Sequence, residues 1–324
     1  MIDFSRFGSL FAMTNYFYSD DICTKAILES RWSDGDVVCP HCGKHHCKMS
    51  KNGRFHCTKC NHNFSCTVGT IFENTKVSLR KWFMAMYLIS SHKKGISSHQ
   101  LARDIDVTQK TAWYMLHKVR SLYALDDSNA FSGEVECDEV YIGGKEKWKH
   151  QSMKTPNTQG RSTKTKTPVF GMMERKEFIN VYGERETMSY VHAMVVEKTD
   201  RATLVPIIQQ FIVEGSSVFT DELSAYSNLS VLGYSHKICN HGAKEFAVGN
   251  IYTNNIEGFW SHFRRMISGC YHDISDEHLQ SYIDEACFRW NTRKMAESER
   301  FTLMFEKSIG KVLPNNRLKL CKAA

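Results

Sequence analysis

Three acids and four cysteines in this 324-residue chain have the types and the spacing to do chemistry. Asp138 stands inside the apolar run GEVECDEVYIGG, Asp221 ends the apolar run of SSVFTDELSAY, and Glu257 lies in TNNIEGFWSHFRR. A charged side chain within an apolar strand costs free energy unless it is paired or ligates a cation. Carboxylate oxygens suit Mg²⁺ or Mn²⁺, and two such ions held by three acids can activate a water and stabilise the leaving oxygen of a phosphodiester. Acids that meet for this purpose at one sheet edge come from distant positions. Here Asp221 follows Asp138 by 83 residues, and Glu257 follows Asp221 by 36. Each acid also has a plainer role open to it. Asp138 can anchor Lys145 or cap a turn, Asp221 can cap a helix over ELSAY, and Glu257 can answer a helix dipole. Glu136 and Glu139 compete with Asp138, and Glu222 competes with Asp221.

Set on a helix of about 3.6 residues per turn, TNNIEGFWSHFRR carries two stripes. Ile256, Trp260, Phe263 and Ile267 form an apolar one; Glu257, Ser261, Arg264 and Ser268 form a second, roughly a quarter turn away. Arg264 is thus in line with Glu257, where a guanidinium can meet a phosphate. An ordinary solvated edge is the alternative.

The cysteines are Cys39 and Cys42 in one C-x-x-C, and Cys57 and Cys60 in a second. Two such pairs put four thiolates within tetrahedral reach of one Zn²⁺, and NGRF between them suits the hairpin turn of a zinc ribbon. Four protein ligands leave no open position, so the ion is expected to be structural. Cys47, Cys66, His41, His45, His46, His56 and His62 lie nearby. The basic, His-rich turns around the site suit DNA or RNA, with a protein partner as the competing possibility.

Net charge is +7. Between Gly143 and Pro168 there are seven basic residues (Lys145, Lys147, Lys149, Lys154, Arg161, Lys164, Lys166) against one acid, Glu146. Such a run suits a polyanion, and Trp148 and His150 within it could stack on an unpaired base. No apolar run reaches membrane-spanning length, and the N-terminus lacks the pattern of a signal peptide. The expected setting is therefore inside the cell and off the membrane: nucleoid or cytoplasm in a prokaryote, nucleus in a eukaryote.

The positioning elements fall into segments. Residues 14–76 are expected to hold the zinc ribbon. Over 78–126, LRKWFMAMYLISSHKKG predicts a helix with Trp82, Met86 and Ile89 inward. The following stretch has helix-turn-helix spacing. Ser97 or Ser98 caps the first helix and DIDV turns. Thr108 caps the second, with Gln109, Lys110 and Thr111 exposed and Trp113, Leu116 and Val119 inward. Such a pair can offer its second helix to a major groove, or be part of a plain helical bundle. Over 131–295, GEVECDEVYIGG, TPVFGMMER, FINVYGER and SYVHAMVV predict short strands. DRATLVPIIQQFIVEG predicts a helix with Leu204, Ile207, Ile208 and Phe211 on one face, SSVFTDELSAY a strand running into a helix, and two amphipathic helices follow. The fold class is α/β, a mixed sheet with helices on both faces. Residues 296–324 are expected to be a C-terminal tail.

The ordered set CDEVYIGGK, FTDELSAY, TNNIEGFWSHFRR and FRWNTR, preceded by the C-x-x-C pairs, resembles IS1595-type transposases with an ISXO2-like domain, relatives of the Merlin elements. The resemblance covers about residues 14 to 295. It implies an RNase H-like fold with a DDE-type triad: Asp138, Asp221 and Glu257 as ligands of catalytic Mg²⁺ or Mn²⁺. Because the family varies at its third acid, Asn255 is a rival ligand. Where the family often has lysine seven positions after that acid, this chain has Arg264, and a guanidinium can hold phosphate bidentately. The implied activity is cleavage at the terminal inverted repeats of an element and joining of the freed 3′-hydroxyl to target DNA. The implied partner is double-stranded DNA, both element ends and target, bound by a homodimer or higher synaptic complex. A silent DNA-binding regulator and a nuclease without strand transfer stand as alternatives. A Tyr or Ser recombinase built on Arg264, Arg265, Arg289 and Arg293 leaves the strand acids unexplained.

Overall fold

The computed structural model describes residues 4–50, 53–124, 130–144, 150–156, 158, 162–179, 183–239 and 253–310. The chain divides into two compact units, Met1–Leu122 with Lys294–Ala324, and Tyr123–Arg293. Among the described residues no helix is long and apolar enough to cross a membrane.

The first unit opens with α1 (Leu10–Tyr16) and α2 (Asp20–Arg31), then a small antiparallel sheet of β1 (Lys48–Met49), β2 (Phe55–His56) and β3 (Asn63–Phe64). These strands are too short to bury much, so the ribbon core is aromatic: Phe55 stacks on Phe64 and takes the edge of Trp32. Arg31 ties α2 to the chain beyond β3 by donating to the carbonyls of Cys66 and Val68. α3 (Leu79–Ser91) has nine of its 13 residues buried, with Trp82, Met86 and Ile89 inward. α4 (Ser98–Asp104) and α5 (Gln109–Arg120) follow. Ser97 and Thr108 cap them by accepting from the Gln100 and Thr111 amides, and Asp106 turns between them at φ +51°. The buried face of α5 is Ala112, Met115, Leu116 and Val119. Trp113, expected inward, is only half-buried and packs on the His117 ring.

The expected tail instead starts with a helix, α9 (Glu297–Gly310), which packs in this first unit. Phe301 and Phe305 enter an aromatic core with Phe4, Phe7 and Phe83, and the Glu297 carboxylate accepts from the Tyr87 hydroxyl. Residues 311–324 lie outside the described residues.

The second unit is a five-stranded mixed sheet: β4 (Glu134–Gly143), β5 (Lys166–Ile179), β6 (Arg185–Val195), β7 (Ser217–Thr220) and β8 (Ser235–Ile238), in the order β6-β5-β4-β7-β8. The β6-β5-β4 part is antiparallel; β7 and β8 add in parallel. With its helices this is an RNase H-like α/β arrangement. Alternation along β4 assigns the two faces. Val135 and Cys137 join Phe170, Met172 and Val218 under α6 (Arg201–Phe211), whose Leu204, Ile208 and Phe211 are buried there. Val140, on the other face, joins Val169 and Met173 under α7 (Asn254–Met266) and α8 (Asp276–Asn291).

Three local expectations are corrected here. The three short strands after β4 are two long ones, because FINVYGER holds both the end of β5 and the first residue of β6. ELSAY makes only a short 3₁₀ turn at Ser224–Tyr226. β8 is a strand that no pattern announces, having four half-exposed or exposed residues and no alternation to reveal it. Of the basic run, Lys154 and Lys164 are exposed on the β4–β5 connection; Lys145, Lys147, Trp148, Lys149 and Arg161 lie outside the described residues.

β6 is an edge strand, and α8 covers its free backbone. Asn291 accepts from the Val191 amide (2.8 Å) and donates to the Val191 carbonyl (2.9 Å). Gln280 accepts from Val195 (2.8 Å) and donates to Ala193 (3.2 Å), while Arg293 donates to the Ser189 carbonyl (2.9 Å). Edge groups at alternate residues are thus answered by one helix and its last turn. Asn291→Ala removes both bonds to Val191 and is expected to cost about 1–3 kcal/mol. Denaturant unfolding measures the loss, and hydrogen exchange should show the Val191 amide among the most accelerated.

Candidate functional site

The sheet brings the strand acids together. β4 and β7 pair in parallel with Glu136 beside Phe219, so the register carried two residues further puts Asp138 beside Asp221. Asp221 therefore lies just past the C-terminal end of β7, beside Asp138 midway along β4; α/β sheets gather functional groups beyond such strand ends. Asp138, Glu139 and Asp221 each offer a carboxylate oxygen within 4.8 Å of the others. Asp221 is held by a tight turn in which it accepts from the Leu223 amide (2.9 Å).

Asp138 is fixed from the α7 side. Trp260 Nε1–H donates to Asp138 Oδ2 (3.1 Å). The indole can reach across β5 because the residue paired with Asp138 is Gly171. A Cβ there would lie 2.5 Å from Trp260 Cζ2. Burial, then the negative charges of Asp221 and Glu257, push the Asp138 carboxyl up to about 7, against the Glu139 amide and the Trp260 N–H, which favour the anion.

Glu257 occupies the first turn of α7 on its exposed side and accepts from the Thr253 hydroxyl (3.3 Å). Arg264 is exposed two turns on, about 10 Å along the axis. The buried stripe is Ile256, Phe259, Trp260, Phe263 and Met266, with Ile267 only partly packed. Asn255, the rival ligand, directs its amide nitrogen elsewhere and donates to Glu136 Oε1 (2.7 Å).

Glu136, in the sequence no more than a competitor of Asp138, has a distinct place. It shares the face of Asp138, has no exposed surface, and collects donors from two elements. Arg175 Nε donates to Oε1 (2.6 Å), joined there by Asn255, and the Ile256 backbone amide at the start of α7 donates to Oε2 (2.9 Å). Arg175 also reaches Glu134 (3.2 Å) and lies over the Phe219 ring, 4.4 Å from its centroid. The one signal of Glu136 in the sequence is its i, i+2 spacing from Asp138. A cleft of about 650 Å³ beside this cluster is walled by Glu134, Arg175, Lys176, Asn255, Trp290 and Arg293; Asp138, Asp221 and Glu257 do not line it.

In the first unit, Cys39, Cys42, Cys57 and Cys60 bring their sulfurs within 4.8 Å of one another, with Cys39–Cys60 at 3.7 Å and Cys42–Cys57 at 3.5 Å. Each pair sits on a turn whose next residue is left-handed, Gly43 at φ +69° and Asn61 at φ +56°. The Cys60 amide, chiefly, brings Cys57 down to about 6, while burial pushes Cys60 up to about 12. Four soft sulfurs at this range, with one already favouring the thiolate, fit structural Zn²⁺.

Comparison with known proteins finds transposase families over both units. Residues 130–291 match the family model of the ISXO2-like transposase domain, and residues 18–63 match that of a transposase zinc-ribbon domain. An uncharacterised protein in transposable element ISH50 of Halobacterium salinarum is 28% identical over 281 residues, covering 82% of this chain and 89% of that protein. An uncharacterised transposase-like protein of Haemophilus influenzae is 34% identical over 105 residues, 32% of this chain and 84% of that one.

Cys57→Ser removes the thiol held closest to its anion. It is expected to abolish stoichiometric zinc and unfold the ribbon, while Tyr123–Arg293 still melts as in the wild type. Metal analysis and calorimetry with limited proteolysis check this; a fully zinc-loaded mutant would contradict it.

Proposed function

Since the chain belongs to the ISXO2-like transposase family, we propose that it is a DDE-type DNA transposase. It cuts at the ends of its element and joins the freed 3′-hydroxyl to target DNA, with Asp138, Asp221 and Glu257 as the acid triad. One observation carries this: Asp221, just past the end of β7, meets Asp138 on the neighbouring parallel strand β4, with a carboxylate oxygen of Glu139 in the same cluster and Glu257 of α7 near enough to add its charge. The donors are all hard oxygens and their negative charges are clustered, which fits Mg²⁺ or Mn²⁺. Such ions, when bound, lower the pKa of an attacking water and stabilise the departing oxygen.

The chain's own part is positioning and charge. Trp260 orients one Asp138 oxygen by its indole N–H, and the Leu223 amide orients Asp221. Arg264, on the exposed side of the same helix as Glu257, binds a phosphate of the strand being cut. The basic β4–β5 connection leaves β4 at the end beyond Asp138 and follows the DNA backbone, so affinity is salt-sensitive. The zinc ribbon and the α4–α5 pair bind the terminal repeats, with Gln109, Lys110 and Thr111 towards the major groove. Cutting two ends together requires two copies or more.

Cleavage and strand transfer on a duplex carrying the element end, with Mg²⁺ or Mn²⁺, tests the proposal. Nicking and joining are expected in the wild type, with loss of at least about a hundredfold in Asp221→Ala and Glu257→Ala. Loss in Asp221→Ala alone would remove Glu257 from the triad. Nicking without joining would favour a nuclease, and end binding without cleavage a silent regulator.

Metal binding should also depend on pH. Without cation, folded Asp138 keeps a proton up to about pH 7, whereas unfolded it loses it near 3.8. Its contribution to stability therefore falls as pH rises through that window. A divalent cation competes with this proton, so the rise in melting temperature given by Mn²⁺ is expected to be larger at pH 8 than at pH 6. Asp138→Asn should abolish the difference.

A further inference from the structure

We infer that Glu136 is the positioning residue that docks the first turn of α7 on β4 and so sets Glu257 against Asp138 and Asp221. The inference rests on the reading of those three acids as a metal site.

Glu257 sits on the exposed side of α7; the apolar stripe and the Trp260–Asp138 bond hold the body of the helix, and the turn that carries Glu257 lies at its very start. Polar contacts at the N-terminus hold that first turn. Glu136 lies two residues before Asp138 on the same face of β4, and its Oε2 accepts from the amide of Ile256, the residue before Glu257. Oε1 accepts from Asn255 on the same helix turn and from Arg175 on β5. One buried carboxylate thus links β4, β5 and α7 within one or two residues of both Asp138 and Glu257. Its charge is what three converging donors require. A neutral amide of the same shape keeps one oxygen and presents N–H groups to donors that have no lone pair to accept them. The helix start must then shift or tilt, and Glu257 moves with it.

The experiment is a Mn²⁺ titration of the full chain by calorimetry, comparing wild type, Glu136→Gln, Asp221→Asn and Ile283→Val. Ile283 is a fully buried apolar residue of α8; its variant removes one methylene from the core and supplies the effect of stability loss. Glu136→Gln is expected to weaken Mn²⁺ on the order of tenfold. Hydrogen exchange at the Ile256 and Glu257 amides should speed up, with Ile283→Val unchanged in both. Wild-type Mn²⁺ affinity in folded Glu136→Gln, with Asp221→Asn losing the ion, overturns this inference alone. Undiminished binding in Asp221→Asn overturns the metal-site reading and this inference with it. If Glu136→Gln does not fold, Arg175→Gln, which removes one donor and leaves the helix amides in place, takes its part: a smaller loss of affinity supports the inference, and none overturns it.

Discussion

A carboxylate sealed from water must be answered by donors, and beneath the start of α7 that demand is made by Glu136. Stripping one partner from a buried charge commonly costs about 3–5 kcal/mol. Helix α7, strand β5 and strand β4 are therefore held to one mutual arrangement by a penalty rather than by a large attractive gain. The amide at a helix start is a good donor for this, since the first-turn N–H groups have no partner within the helix. Asn255 and Ile256 meet Glu136, and the helix dipole favours the negative charge it finds there.

Around that anchor α7 divides its labour by side. Its buried stripe fills the space over Val140, Val169 and Met173, while the adjacent stripe keeps Glu257 and Arg264 in solvent. Trp260 belongs to both: its ring covers Gly171, and its one polar atom is spent on Asp138. A side chain at position 171 would push the ring off the strand and take the N–H from the acid. The sheet and its helix cover are thus continuous with the acid cluster.

Much of this is legible in local spacing. The cysteine pairs declare themselves within four residues each, and the left-handed Gly43 and Asn61 follow them directly. Asp138 and Asp221 stand out because a charge in an apolar run is conspicuous. Glu136 does not, because its partners are 39, 119 and 120 residues away and nothing nearby marks which acid of ECDE turns into the helix end. Asn255 is legible as a polar group beside Glu257 but not as a donor. The α9 helix has its own signal, although the stretch stands beyond every motif and reads at first as a tail: Phe301, Met304, Phe305 and Ser308 recur at helical spacing, and all four are buried. Strand β8 offers no pattern, since its pairing with β7 is set by backbone and not by an apolar face.

The return of α9 has a consequence for biosynthesis. Phe301 and Phe305 complete an aromatic cluster whose other members, Phe4, Phe7 and Phe83, leave the ribosome more than two hundred residues earlier. The whole of Tyr123–Arg293 is made in the interval. The N-terminal unit of a nascent chain therefore waits for its last aromatic rings until after the middle of the chain has been made, the reverse of the usual order of domain completion. A message truncated between codons 293 and 301 yields a chain that keeps the whole of Tyr123–Arg293 but lacks the two rings that close the aromatic cluster of the other unit.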